Sequence, residues 1–292
     1  MTQQWSVIGR VIGRPLAFLA AILLTLYFTY ELNTVRLNGA GDVGLYQEYA
    51  RNILADPPEL PREYPPLSAA LFVVPQLVLP ERYMLGWALW AAFAVWLAVV
   101  AVDRLNRGGW WMFLLITLGA WGTAAFRFDI FVVLVTVLAF AAGKRQRWVL
   151  AQALLALGVA IKLYPLILMP LVVIWQWNST RRLPISAAFG GAGGLLVAIG
   201  SMWIVDPAQL AGLLAYHGQR PLEVESVGAS LGWLRGPQAS TSVEFSFGSF
   251  NLFTPSDTVL IPLLSGATVV LLLVLYGWFL MERIGPATAF AL

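Results

Sequence analysis

Apolar residues in this chain come in long unbroken runs rather than at every second position or on one helical face. The runs lie at 15–30, 83–103, 109–126, 128–143, 148–161, 163–177, 184–205 and 258–281. Crossing the ~30 Å hydrocarbon layer of a bilayer takes about 20 residues as a helix, so the pattern predicts eight transmembrane helices. Strict alternation, the mark of a membrane β-barrel, is absent from these runs. The runs at 128–143 and 148–161 are short for a full crossing, and they are expected where protein thins the apolar layer or lines a wet cavity. A shorter run at 67–79 is broken by Pro75. It is expected to re-enter or lie on the surface, because a crossing there would invert every later loop.

The direction of the chain follows from its cations, which hold loops back on the cytoplasmic side. With an inside N-terminus, the inner ends carry Arg10, Arg14, Arg104, Arg107, Lys144, Arg145, Arg147, Arg181, Arg182 and Arg283, ten of the eighteen Lys and Arg residues. Of the fifteen carboxylates only Asp103 and Glu282 fall on that side. The rest gather at outer helix ends and in two long outer loops, at about 33–82 and 206–257. Expected chemistry therefore concentrates at the outer face.

Composition removes several classes. With 59% hydrophobic and 11% charged residues, against about a quarter charged in soluble domains, the chain is expected to have membrane lipid as its surroundings. A net charge of +3 is too small to imply a nucleic-acid partner. There is no cysteine and one histidine, which removes disulfides, thiolate nucleophiles and any ordinary zinc site. The glycines at 190–194 lie inside an apolar run and read as close helix packing, not as a phosphate loop.

Few polar residues interrupt the apolar runs, and each needs a reason. Asp42 follows Gly39-Ala40-Gly41 and opens a segment, 43–54, with apolar side chains at Leu45, Tyr49 and Ile53, the spacing of an amphipathic helix lying on the membrane. An Asp there is explained as a helix N-cap or as a functional carboxylate. Arg127 and Asp129 sit at an outer junction, and Lys162 stands at another. A cation within the membrane costs about 2.5–3.5 kcal/mol on insertion scales and needs a partner or an aqueous pocket. One reading is an Arg127–Asp129 pair with a snorkelling Lys162. The other is an anion site, since an outer lysine works against the orientation signal. His217, three residues before Arg220, is either an ordinary loop residue or a phosphate ligand and proton carrier.

These residues, in order, resemble the GT-C superfamily of polytopic membrane glycosyltransferases, and most closely glycosyltransferase family 87, the actinobacterial polyprenyl-phosphate-mannose mannosyltransferases. The resemblance rests on Asp42 with Tyr46 and Tyr49 behind it, "YPPL" from Tyr64, "FRFD" at Phe126 to Asp129, "KLYPL" at Lys162 to Leu166 and "HGQRPLEVES" from His217 to Ser226. It implies one all-α GT-C-like transmembrane domain of about eight helices, several of them short, with juxtamembrane helices on the outer side. It further implies an enzyme of cell-envelope glycolipid synthesis in the cytoplasmic membrane, with its active site on the outer face. The donor would be a polyprenyl-phosphate sugar, the acceptor a glycolipid or glycan, and no cofactor or metal would be required. Asp42 would be the catalytic base, and Lys162, Arg127, His217, Arg220, Tyr64 and Glu225 would line the donor-phosphate and substrate pocket. Members of the family usually carry further C-terminal spans, so a chain ending at Leu292 reads as a shortened or partial member.

The competing class is a transporter or scramblase for a lipid-linked or anionic solute, which would also keep charges inside the membrane. Transporters usually show repeated halves with broken helices in matching places. No such repeat is visible here, and the outer loops are long for a transporter.

Overall fold

The structure, a computed structural model, describes residues 42–106, 108–205, 207–234, 241–254 and 257–291, with scattered positions between Leu16 and Tyr27. The expected first span falls mostly outside the described residues, as do Arg10, Arg14, Gly39 to Gly41 and Arg107.

The described part is all-α apart from one small sheet. Helix α1 (Asp42–Ile53) is followed by α2 (Pro66–Val78) and α3 (Tyr83–Asn106). Next come α4 (Gly109–Leu115), a π turn (Ile116–Ala120) and α5 (Trp121–Phe126), then α6 (Asp129–Lys144) and α7 (Trp148–Ile161). A 3₁₀ turn (Tyr164–Leu168) leads into α8 (Met169–Thr180), followed by α9 (Ile185–Val205) and α10 (Pro207–Gln219). Strand β1 (Leu222–Glu223), α11 (Val227–Leu234), β2 (Ser242–Ser246) and β3 (Ser249–Phe253) precede α12 (Asp257–Leu280) and α13 (Pro286–Ala291). Among the described residues three stretches are long and apolar enough to cross a bilayer: Pro80–Leu105, Ile185–Ile204 and Val259–Leu280.

Contacts sort the helix ends into two poles. At one pole Trp87 Nε1 near the start of α3 donates to the Ala125 carbonyl at the end of α5, 2.9 Å away, and Lys162 after α7 meets Asp129 at the start of α6. At the other, Phe140 of α6 and Phe290 of α13 pack on Trp175 of α8. There Arg181 also pairs with Glu282, and Asn178 donates to the Phe279 carbonyl at 2.7 Å. α3, α4–α5, α6, α7, α8, α9 and α12 lie on seven of the eight apolar runs, three of them with the length of a full crossing.

α2 does not join them. Tyr46 stacks on Phe72 of α2 (4.6 Å between centroids) and also meets Trp87 of α3 (4.8 Å), and Tyr83 donates to the Phe72 carbonyl. The helix therefore leaves and returns at one pole, as its length and internal proline predict.

The amphipathic character of α1 holds, but its most deeply buried stripe is Val43, Tyr46 and Ala50, one position away from the expected Leu45, Tyr49 and Ile53. Tyr46 thereby becomes the hub of an aromatic cluster with Phe72, Trp87 and Phe128. Each such pair contributes about 0.5–1.5 kcal/mol beyond area burial, and together they fix α1 over the ends of the spans.

Within a bilayer, helices gain little by exchanging lipid for another apolar helix, so close packing and interhelical hydrogen bonds hold them together. α7 and α9 show both effects. A Cβ on Gly190 would lie 2.9 Å from Val149 Cα, and one on Gly194 would lie 2.6 Å from Ala156 Cβ, closer than real Cβ atoms come. Gln152 of α7 donates to the Met169 carbonyl, and Gln176 of α8 bonds Ser186 and the Ala187 amide at the start of α9. Gly193, by contrast, has open space where its Cβ would be. Gly194→Ala is thus expected to cost about 1–3 kcal/mol through overpacking, with Gly193→Ala neutral or slightly stabilising. Thermal unfolding of the two variants in detergent measures the difference, and equal midpoints would contradict the packing described.

The sheet in the second outer loop departs from the all-helical expectation. β3 lies between β1 and β2, antiparallel to both. Its β2–β3 turn places Phe247 (φ 51°) and Gly248 (φ 71°) in the left-handed region, as a two-residue hairpin loop requires. The alternation in "SVEFSFGSFNLF" is a strand pattern and is the signal that marks it.

Candidate active site

Polar residues at the end of α5, the start of α6 and the end of α7 meet at one pole with residues of α1, of α10 and of the second outer loop. An open cleft with about 700 Å³ of free space is lined by Asp42, Tyr46, Glu63, Tyr64, Arg127, Phe128, Asp129, Lys162, Tyr216, His217, Arg220, Glu223 and the hairpin tip Phe247 to Ser249. Six separate segments contribute. α6 and α7, of 16 and 14 residues, are about 24 and 21 Å long at 1.5 Å per residue. They end below the full depth of the apolar layer, so Asp129 and Lys162 stand at the floor of a recess.

The charges are arranged in pairs. Asp42, in the first turn of α1, has its carboxylate 3.3 Å from Arg127 Nε. Lys162 donates to both oxygens of Asp129, at 2.7 and 2.9 Å, and lies 4.9 Å from the centre of the Phe128 ring. The expected Arg127–Asp129 pair is not the one formed: each of the two partners reaches across to another element instead. Arg220 meets Glu223 at 3.2 Å and donates to Ser249 Oγ at 2.9 Å, while its Nε is buried with no hydrogen-bond partner among the described residues. Glu63 accepts from the Tyr49 hydroxyl at 2.6 Å.

Electrostatics gives two of these groups distinct tasks. Burial pushes the Asp42 carboxyl above the ordinary aspartate range, and Arg127 and Lys162 oppose that rise. A carboxylate so placed is a better proton acceptor than a free one, yet two cations favour its ionised form. Burial, then the nearby Arg220, lower His217, which keeps its imidazole neutral near pH 7. A hydrogen bond with the Glu63 backbone holds it.

The hairpin is tied to this site at its tip. Tyr216 donates to the Phe247 carbonyl at 2.6 Å, and buried Asn251 donates to Ser246 and Ser249 across the turn. Ser249 is thereby presented to Arg220.

Of the residues expected from the sequence, Asp42, Tyr64, Arg127, Lys162, His217 and Arg220 line the cleft. Glu225 does not: it is exposed in the turn after β1, and Glu223 stands in the cleft instead. Glu63, Tyr216, Glu223 and Ser249 were not singled out by the sequence. Glu63 directly precedes Tyr64, Tyr216 directly precedes His217, and Glu223 lies inside the motif that opens at His217, so the quoted motifs were the available signal for these three, whereas Ser249 had only the alternating pattern of its hairpin. Among the described residues no group of three or more acidic or histidine side chains is arranged to hold a metal ion.

A second groove opens from the same place. His217, Arg220 and Glu223 line both the cleft and a groove along α12, continued by Ile261, Leu264, Thr268 and Leu271. It begins at charged groups and becomes apolar, recurring at helical spacing on one face of α12.

The family model described as "Glycosyltransferase family 87" matches residues 63–292. The matched stretch contains every cleft residue except Asp42, Leu45 and Tyr46. Comparison with curated proteins and with solved structures finds no match.

Proposed function

The chain belongs to glycosyltransferase family 87 and is a membrane glycosyltransferase, and from that premise we propose that it transfers mannose from a polyprenyl-phosphate donor to a hydroxyl of a lipid-linked or glycan acceptor. The work is assigned to the outer face of the cytoplasmic membrane. One observation carries this reading: a carboxylate, Asp42, shares a cleft with Arg127, Lys162 and Arg220, and an apolar groove leaves that cleft along α12.

A sugar on a lipid phosphate already has a good leaving group, so its departure needs cations and no general acid. The acceptor oxygen bonds to the anomeric carbon as the carbon–oxygen bond to phosphate breaks, and the bonding pair leaves with the phosphate. The acceptor proton passes to Asp42, and the single displacement inverts the anomeric centre. Arg220, which lines the cleft, receives the phosphate with its guanidinium. Lys162 retains one N–H after its two bonds to Asp129, because an ammonium has three. Neither a metal nor a cofactor takes part in the proposed reaction. The prenyl chain lies along α12, in the groove that shares three residues with the cleft.

Membranes containing the protein, incubated with radiolabelled polyprenyl-phosphate mannose, are expected to yield a labelled product absent from control membranes. No transfer above control with any membrane-derived acceptor, or equal transfer from a nucleotide sugar alone, would overturn the proposal. Sidedness has its own test, aided by the absence of native cysteine. Ser242→Cys in β2 is expected to react with an impermeant maleimide in intact cells and Ser179→Cys in α8 is not; the opposite pattern would invert the orientation.

A further inference from the structure

A different groove lies between α7 and α9. Val149, Ala153, Ala156 and Ala160 form one wall, and Gly190, Gly193, Gly194 and Val197 form the other. Its free space is about 1050 Å³, and it shares no lining residue with the cleft or with the groove along α12. At the pole away from the cleft it runs into a second depression, through the shared residues Val149 and Ala153, and that depression is lined by Arg147 and Ser186.

Three properties define the occupant. The groove is apolar from Val149 to Ala160, twelve residues that rise about 16 Å at 1.5 Å per residue along nearly the whole of α7, with Leu67 of α2 also lining it, a length that suits one extended acyl chain. Its end at the pole away from the cleft is cationic: Lys144, Arg145 and Arg147 are exposed in the α6–α7 turn, and among the described residues none of the three forms an ion pair. Of the two carboxylates expected at this pole, Asp103 and Glu282, the latter pairs with Arg181. A basic depression between helices at the membrane edge is suited to an anionic headgroup.

We propose that this groove binds an anionic glycerophospholipid of the leaflet opposite the cleft, with its phosphate at Arg147 and Ser186 and one acyl chain laid over Gly193. The small side chains at 153, 156, 190, 193 and 194 leave the furrow open, and Gly193 is the position whose missing side chain keeps it so, since its Cβ would meet nothing within 4 Å. Such a lipid braces the α7–α9 seam at the pole opposite the cleft. The proposal does not depend on the transfer reaction and is tested without it.

The full chain in detergent, titrated with dioleoyl phosphatidylglycerol or dioleoyl phosphatidylcholine and examined by native mass spectrometry, is expected to retain the anionic lipid preferentially. Arg147→Gln is expected to weaken phosphatidylglycerol about fivefold and to leave phosphatidylcholine unchanged. Gly193→Leu fills the furrow and is expected to remove retention of the anionic lipid, with the lipid-free thermal midpoint unchanged. Inorganic phosphate and glycerophosphoglycerol, which lack chains, are expected not to compete. Equal retention of both lipids by the native chain, or retention unchanged in Arg147→Gln, would overturn the site. So would displacement of the lipid by polyprenyl phosphate, or a dimer that Gly193→Leu dissociates, since the furrow would then belong to a substrate or to a second copy. Should Gly193→Leu fail to fold, Arg147→Gln and the competition decide.

Discussion

Asp42→Asn is expected to lower the rate of sugar transfer by roughly 10²–10⁴-fold, the usual contribution of a positioned general base. Asparagine starts a helix about as well as aspartate, and the half-exposed pair with Arg127 contributes little to stability, so the variant should fold and bind donor normally. The native enzyme carries a second signature. Transfer requires the ionised carboxylate, so the rate rises with pH as Asp42 loses its proton, and burial moves that acid limb above the ~3.9 of a free aspartate. In the variant the limb should disappear along with the rate. Near-normal transfer by Asp42→Asn would reduce Asp42 to a helix-start residue and shift the base to His217, whose lowered pKa leaves it neutral. Because Asp42 precedes the stretch that the family model matches, this variant examines the assignment independently of family membership.

Arg220→Gln is expected to weaken donor binding by tens of fold, corresponding to about 1.5–3 kcal/mol for one charge-assisted phosphate contact. The substitution keeps an amide able to meet Ser249, so the hairpin tip should stay in place. Lys162 needs a different design. Lys162→Ala alone strands the Asp129 carboxylate in a partly buried recess, and removing one partner of such a pair destabilises the fold. Lys162→Ala combined with Asp129→Asn should recover the thermal midpoint but not the donor affinity. Donor titration beside thermal unfolding separates the two effects. Unchanged affinity in Arg220→Gln and in the double variant, with both folded, would return these cations to a structural role.

Crossing segments were legible because long apolar runs have one physical explanation, and the two poles because cations and carboxylates divide between them. Four of the six cleft residues found from sequence, Asp42, Tyr64, Arg127 and Lys162, are polar where an apolar run ends or an outer helix begins, while His217 and Arg220 lie at the end of the outer helix α10. Pairing was not legible. Whether Arg127 meets Asp129, two residues away, or Asp42, far off in sequence, depends on the extended backbone at Arg127 and on where α1 settles, and the aromatic contacts of Tyr46 decide the latter. Glu225 and Glu223 illustrate the same limit. Both are outer-loop acids near Arg220, and only the turn after β1 directs one outward and leaves the other inside. The hairpin was hidden for another reason: its alternating pattern is short and lies between two helical stretches, yet it supplies Ser249 to the cleft.

The groove along α12 opens sideways, and only 6% of the residues in the apolar window of α12 are buried by the other described residues. Under the proposed function, a donor reaches the cleft by sliding within the sheet of lipid, without first dissolving in water. The enzyme then meets its substrate in two dimensions, and the quantity it senses is the donor's mole fraction among lipids, not its amount per volume of suspension. Fusing empty vesicles with loaded ones slows such an enzyme even when nothing has been removed, whereas diluting the suspension with buffer leaves its rate per molecule unchanged.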